Sequence, residues 1–111
     1  FIIKDHFMNK KISIFYTICG SKKSAEMLAI KLIKSDKAIC INIIKNVESF
    51  YMERKKVKKA TELILLIKTM NSKKDISEFI KKNHSYKIPF ITKINNKGVN
   101  QDYLNWANSK V

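Results

Sequence analysis

The sequence predicts an α+β domain with strands and helices in the order β-α-β-β-α-β, closed by a short C-terminal helix. Three observations carry that expectation. Short apolar, β-branched segments occur at 12–18, 38–44, 62–69 and 88–94, and in stretches between them apolar residues recur at the three-and-four spacing of a helical face. Two glycines and one proline in 111 residues leave little chain for turns and linkers. Segments 39–44 and 63–67 are apolar on both sides, as strands covered on both faces of a sheet must be. This order is the split βαβ arrangement of ferredoxin-like domains, with an antiparallel four-stranded sheet.

The first strand is expected over residues 12–18, with Ile12, Ile14, Tyr16 and Ile18 on one face. Ser21 then caps a helix whose face is Ala25, Leu28, Ala29, Leu32 and Ile33, ending near Ser35 or Asp36. A second strand covers residues 38–44 and extends toward Tyr51. A charged segment, 53–59, leads to a third strand over 62–69, and a long β-hairpin is the economical link between them. Ser72 with Asp75 resembles a capping box ahead of the stripe Ile76, Phe79 and Ile80, and that helix runs to about Asn83. A fourth strand is expected over 88–94, with Pro89 near its start or on an edge because proline has no N–H to give the ladder. Asn100 caps the final helix, which carries Tyr103, Leu104, Trp106 and Ala107.

Right-handed crossovers put both main helices on one sheet face, so the other face needs a second cover. Oligomerisation through the sheet is the direct expectation. Residues 1–10 read as an N-terminal extension and 11–111 as one domain, with Met8 just ahead of the first strand. Lys4, Asp5 and His6 interrupt the opening apolar stretch, which does not read as a signal peptide. No run approaches the roughly 20 apolar residues of a membrane span. Two cysteines are too few for a disulfide framework and fit a reducing, cytoplasmic setting. The net charge of +14 predicts nonspecific attraction to polyanions. Its lysines are scattered, however, among many Ile and Asn residues, so compositional drift accounts for much of it.

Several short motifs resemble those of the CutA divalent-ion tolerance family. They are Thr17-Ile18-Cys19, Ser24-Ala25-Glu26, the run 38–44 with Cys40 and Asn42, Ser49 and Tyr51, the run 62–67 leading into Lys68-Thr69, His84-Ser85-Tyr86 with Pro89, and Asp102-Tyr103-Leu104 with Trp106. The resemblance extends over residues 11–109 and implies a tight homotrimer whose long second and third strands reach across neighbouring subunits. The chain departs from the family pattern at Glu53, where Trp is usual, and at Lys55, where Gly is usual. Lys58-Lys59-Ala60-Thr61 replaces an acidic stretch, and Pro89-Phe90 replaces Pro-Glu, removing a carboxylate from the expected ligand set.

Cys19 and His84 are the candidate metal ligands, at the mouth of a subunit cleft that the resemblance implies. Thiolate and imidazole suit copper(I) or zinc better than magnesium or calcium. With Phe90 in place of a carboxylate, only a weak site sharing groups between subunits is expected, and no obligatory cofactor. The plain alternative for His84 is a hydrogen-bonded histidine at a helix C-terminus. Cys40 is expected to be a small buried hydrophobe, separated from Cys19 by the third strand. Lys68 should meet an anion, a neighbour's C-terminus or an intersubunit carboxylate. Asn42, Tyr51, Tyr86 and Trp106 are assigned to packing and intersubunit hydrogen bonds, and Ser49 and Pro89 to the structural motif.

No phosphate-binding glycine loop, paired-cysteine zinc motif or activated serine occurs, so no catalytic constellation can be named. The expectation is a non-enzymatic metal- or small-ligand-binding regulator of divalent-metal response. One alternative is a structural trimer anchoring a protein partner. The other is a basic RNA-binding module, which the aliphatic third strand disfavours, because RNA-recognition sheets expose stacking aromatics there.

Overall fold

The computed structural model describes residues 11–110, and the expected N-terminal extension lies outside them. The elements are β1 (Ser13–Cys19), α1 (Lys22–Lys34), β2 (Cys40–Glu53), β3 (Lys56–Thr69), α2 (Lys73–Asn83), β4 (Ile91–Ile94) and α3 (Gln101–Asn108). They form one sheet of order β2-β3-β1-β4, antiparallel throughout. The predicted ferredoxin-like architecture is therefore present. Ser21 accepts the Ser24 N–H and Ser24 Oγ accepts the Ser21 N–H, a complete capping box for α1. At α2 only Ser72 Oγ accepting the Asp75 N–H is seen. Asn100 holds the N-cap position of α3 without a side-chain bond to the helix.

Alternation sends Phe15, Thr17 and Cys19 of β1, and Leu63, Leu65, Ile67 and Thr69 of β3, toward the helices. There they meet Ala25, Leu28 and Leu32 of α1 and Ile76 and Ile80 of α2. Truncating a fully buried member such as Leu65 to alanine would cost about 2–5 kcal/mol. Thr17 is admitted to this core because its hydroxyl donates to the Phe90 carbonyl at 2.8 Å. The more conspicuous apolar alternation of β1, Ile14, Tyr16 and Ile18, faces the other way. It shares the open face with Ile64 and Leu66 of β3 and Asn42 and Ile44 of β2.

Three expectations need correction. The third strand begins at Lys56, because the charged segment pairs with β2 all the way to Glu53↔Lys56. Its lysines thus belong to an extended arm, and the molecule measures 59 × 26 × 22 Å. The fourth strand is Ile91–Ile94 rather than 88–94; Pro89 lies ahead of it, and the Phe90 carbonyl is taken by Thr17. Cys40 is half-buried on the open face beside Lys68, whereas the fully buried cysteine is Cys19.

One extra residue in β2 between Ile44 and Val47 makes a bulge at which Asn46 takes φ 60°. Beyond it the two arm strands close through Arg54 and Lys55 at φ 50° and 67°. Two successive left-handed residues are the signature of a type I′ hairpin turn, which normally uses Asn-Gly. Here two long side chains hold it, each disfavoured there by roughly 1 kcal/mol or more relative to glycine. Lys55→Gly is therefore expected to raise stability by about 1 kcal/mol in urea titration; an unchanged or lower midpoint would show that the turn is not strained.

Candidate functional site

The register Cys19↔Leu63 brings the C-terminal end of β1 beside the segment of β3 where arm becomes sheet. Helix α2 ends at the same place, and its C-cap residue His84, with φ −82° and ψ 144°, turns the chain into the segment carrying Tyr86. Four side chains converge there. His84 Nε2 lies 2.8 Å from the Ile18 carbonyl and 3.8 Å from Cys19 Sγ. The backbone N–H of Tyr86 donates to His84 Nδ1 at 2.9 Å. Because Nδ1 accepts, the proton of a neutral ring sits on Nε2 and is donated to Ile18. Both ring nitrogens are thus engaged, which is the hydrogen-bonded helix-end histidine rather than an open ligand.

Tyr86 Oη donates to Glu62 Oε2 at 2.5 Å, and its ring lies 5.2 Å from that of His84. The tyrosine is seated against Gly20, where an added Cβ would stand 2.7 Å from Tyr86 Oη and 2.9 Å from its Cε1. Burial, reinforced by the Glu62 bond and charge, pushes the Tyr86 phenol up to about 12. Burial, with Glu62 adding to it, raises the Cys19 thiol to about 11, so at neutral pH it is S–H and not thiolate. Burial also lowers His84 below its ordinary 6.5, against the pull of the Ile18 carbonyl. At neutral pH the cluster is a neutral imidazole, thiol and phenol arranged around Glu62.

The structure thus unites Cys19, His84 and Tyr86. Tyr51 is close enough for its charge to affect the Tyr86 phenol. Other expected positions lie apart. Asn42 is exposed on the open face opposite Leu66, Ser49 sits on the arm opposite Ala60, and Pro89 precedes β4. Within the subunit Lys68 Nζ stands 5.2 Å from the centroid of the Tyr103 ring. Trp106 sits on α3 beneath the Lys110 ammonium. Phe90 packs edge-on to Tyr16 at 5.8 Å on the open face. Sequence reasoning passed over Glu62 and Gly20. The signal was available: Glu62 is the only carboxylate between Glu53 and Asp75, and Gly20 is one of two glycines. Among the described residues no group of three or more His, Cys, Asp or Glu side chains is placed to hold a metal ion.

A ferredoxin-like sheet with an extended central hairpin and a Cys-His-Tyr cluster at its strand ends defines the class. The chain belongs to the CutA1 divalent ion tolerance protein family, whose sequence model matches residues 13–110. It is 35% identical over 94 residues to the rice protein CutA 1, chloroplastic, covering 84% of this chain and 53% of that one. It is 29% identical over 100 residues to the Archaeoglobus fulgidus divalent-cation tolerance protein CutA, covering 89% and 97%. The crystal structure of CutA1 from Oryza sativa superposes with a TM-score of 0.84 at 31% identity, covering 92% of this chain and 94% of that one. The periplasmic divalent cation tolerance protein CutA from Archaeoglobus fulgidus gives 0.78 at 29%, with 88% and 96% covered. The chain spans about half the length of the rice relative. The family description and the Archaeoglobus fulgidus names refer to ion or cation tolerance, and none of these names refers to a reaction. Among the described residues no helix is long and apolar enough to cross a membrane.

Two outcomes test the cluster. A group whose folded pKa is depressed contributes stability above its unfolded pKa and loses it as pH falls through the folded value. The lowered His84 therefore predicts falling stability below about pH 6.5, and His84→Gln should flatten that limb of a urea-midpoint profile. The raised Cys19 predicts the opposite limb, with stability present below about 9 and lost as pH rises toward 11. A Cys19→Ala profile as steep as the parent's would remove Cys19 as the cause. Gly20→Ala should swing the phenol off Glu62 and lower its pKa toward 10, read by ultraviolet titration against Tyr86→Phe.

Proposed function

We propose that the protein works as a homotrimeric, non-enzymatic divalent-metal tolerance and response protein that takes a metal or small ligand at clefts between subunits. The observation that carries this reading is the proximity of Cys19 Sγ and His84 Nε2, 3.8 Å apart, beside the Glu62–Tyr86 pair. Membership of a family named for divalent ion tolerance supports it.

Trimerisation is supported by unsatisfied apolar surface. Phe50, Met52 and Val57 on one face of the arm are 64, 67 and 70% exposed, and Tyr51 on the other is 48% exposed. The ion pair on the arm, Lys59 with Glu48 at 2.8 Å, is exposed and worth at most about 1 kcal/mol. An arm apolar on both faces and an open sheet face with Ile44, Phe90 and Ile94 call for cover by other copies.

Within one subunit the metal chemistry is incomplete. Copper(I) or zinc would have to displace the Ile18 carbonyl from His84 Nε2, remove the thiol proton of Cys19 and find a further donor in a neighbouring subunit. Binding is accordingly weak and favoured at alkaline pH. The reading places the chain in a reducing compartment, the cytoplasm. In its support, Cys19 and Cys40 lie on strands separated by β3, beyond the roughly 7 Å Cα reach of a disulfide. A structural trimer that anchors a protein partner is the second reading, favoured by the fully hydrogen-bonded state of His84. Nucleic acid is met only nonspecifically, through charge.

Native mass spectrometry with and without copper(I) or zinc tests both readings. The expected result is a trimer that adds up to three metal ions, with loss of the added mass in His84→Ala and Cys19→Ser. A trimer that adds no metal would favour the scaffold, and a monomer would sink the assembly.

A further inference from the structure

A groove of about 510 Å3 lies between the C-terminal end of α1, the start of β2, the end of β3 and α3. This is at the opposite end of the β2–β3 ladder from the arm, in the range of roughly 300–1,000 Å3 usual for small-molecule sites. Ile33, Ile39, Met70 and Trp106 supply apolar wall, and among the described residues Lys37 and Lys110 supply positive charge against one carboxylate, that of Asp36. Trp106 is 47% and Ile33 41% exposed, so this wall faces open space. The Lys110 ammonium stands 5.1 Å from the Trp106 ring centroid, placing a cation at the edge of the aromatic wall.

The groove is held open by internal bonds. Thr69, fully buried, donates its hydroxyl to the Lys37 carbonyl at 2.5 Å and accepts the Asn71 N–H at 2.9 Å, tying the two lips together. The Ile39 N–H donates to the Lys68 carbonyl at 2.8 Å, and the Lys37 N–H to the Leu32 carbonyl at 2.9 Å. Little ordering is therefore left for a ligand to impose.

We infer that this groove is a binding site for a small amphipathic carboxylate, whose apolar part lies along Trp106, Ile33 and Met70 and whose anionic end meets Lys37 and Lys110. The charge balance at the rim argues for that occupant over a second copy's arm. The arm tip is Arg54, Lys55 and Lys56, of the same sign as the two lysines. The site stands apart from the Cys19 cluster, and failure of metal binding there leaves it untouched.

Trp106 is the only tryptophan of the chain, so its emission reports on the groove alone. Titration of the intact protein with octanoate below its micellar range should give a saturable emission shift, weaker with the isosteric neutral octanamide. Lys37→Gln and Lys110→Gln should each weaken apparent affinity roughly two- to fivefold. Asp36→Asn, which suits the left-handed backbone at φ 55°, should tighten it. Equal responses to octanoate and octanamide, or affinities unmoved by either lysine substitution, would overturn the proposal. So would a Trp106 shielded from acrylamide quenching in the free protein, since a second copy would then occupy the groove.

Discussion

The pairing register of β1 with β3 is the constraint from which the rest of the structure follows. With Ser13 opposite Thr69 and Cys19 opposite Leu63, Phe15, Thr17 and Cys19 of β1 enter the helix-covered core together with Leu63, Leu65, Ile67 and Thr69 of β3. A slip of β1 by one residue would set Tyr16 opposite Ile67 and turn Phe15, Thr17 and Cys19 out of the core. The same register places the end of β1 against the junction of arm and sheet, and so creates the cluster of Cys19, His84, Tyr86 and Glu62. Core and site are two results of one alignment.

Much of the fold was legible because the apolar periods are strong and long. The helices stood out through Ala25, Leu28 and Leu32, and through Ile76 and Ile80. A long hairpin was expected, but the extent of the third strand within it did not show, because Lys56, Lys58 and Lys59 make a charged segment and a ladder exposed on both faces leaves no burial pattern in the sequence. The faces of β1 were also ambiguous. Ile14, Tyr16 and Ile18 make the better apolar row, yet the core takes Phe15, Thr17 and Cys19. What reveals the choice is tertiary: the Thr17 hydroxyl is satisfied only by the Phe90 carbonyl, 73 residues away.

The candidate site divides the same way. Residue types identified Cys19 and His84, but their protonation state depends on neighbours distant in sequence. The imidazole of His84 is closed by the Ile18 carbonyl and the Tyr86 amide, and the thiol of Cys19 is kept protonated by burial. Glu62 and Gly20 are visible only once Tyr86 is seen lying between them. Polar pairs of this kind leave no periodic signal, because each partner is chosen for one contact and not for a face.

The bulge in β2 changes how the chain must be counted. Up to Ile44 the even residues of that strand share the open face; from Val47 onward the odd ones do, so Ser49 and Tyr51 fall in phase with Glu62 and Ala60. The extra residue thus acts as a parity switch between sheet and arm. Beyond it, length can change only by two residues in each strand of the hairpin without turning one face of the arm into the other. A single residue gained or lost is absorbed most readily at Lys45-Asn46, where the ladder is already out of step. Variation in the reach of this arm should therefore proceed in steps of about 7 Å, the length of two strand residues.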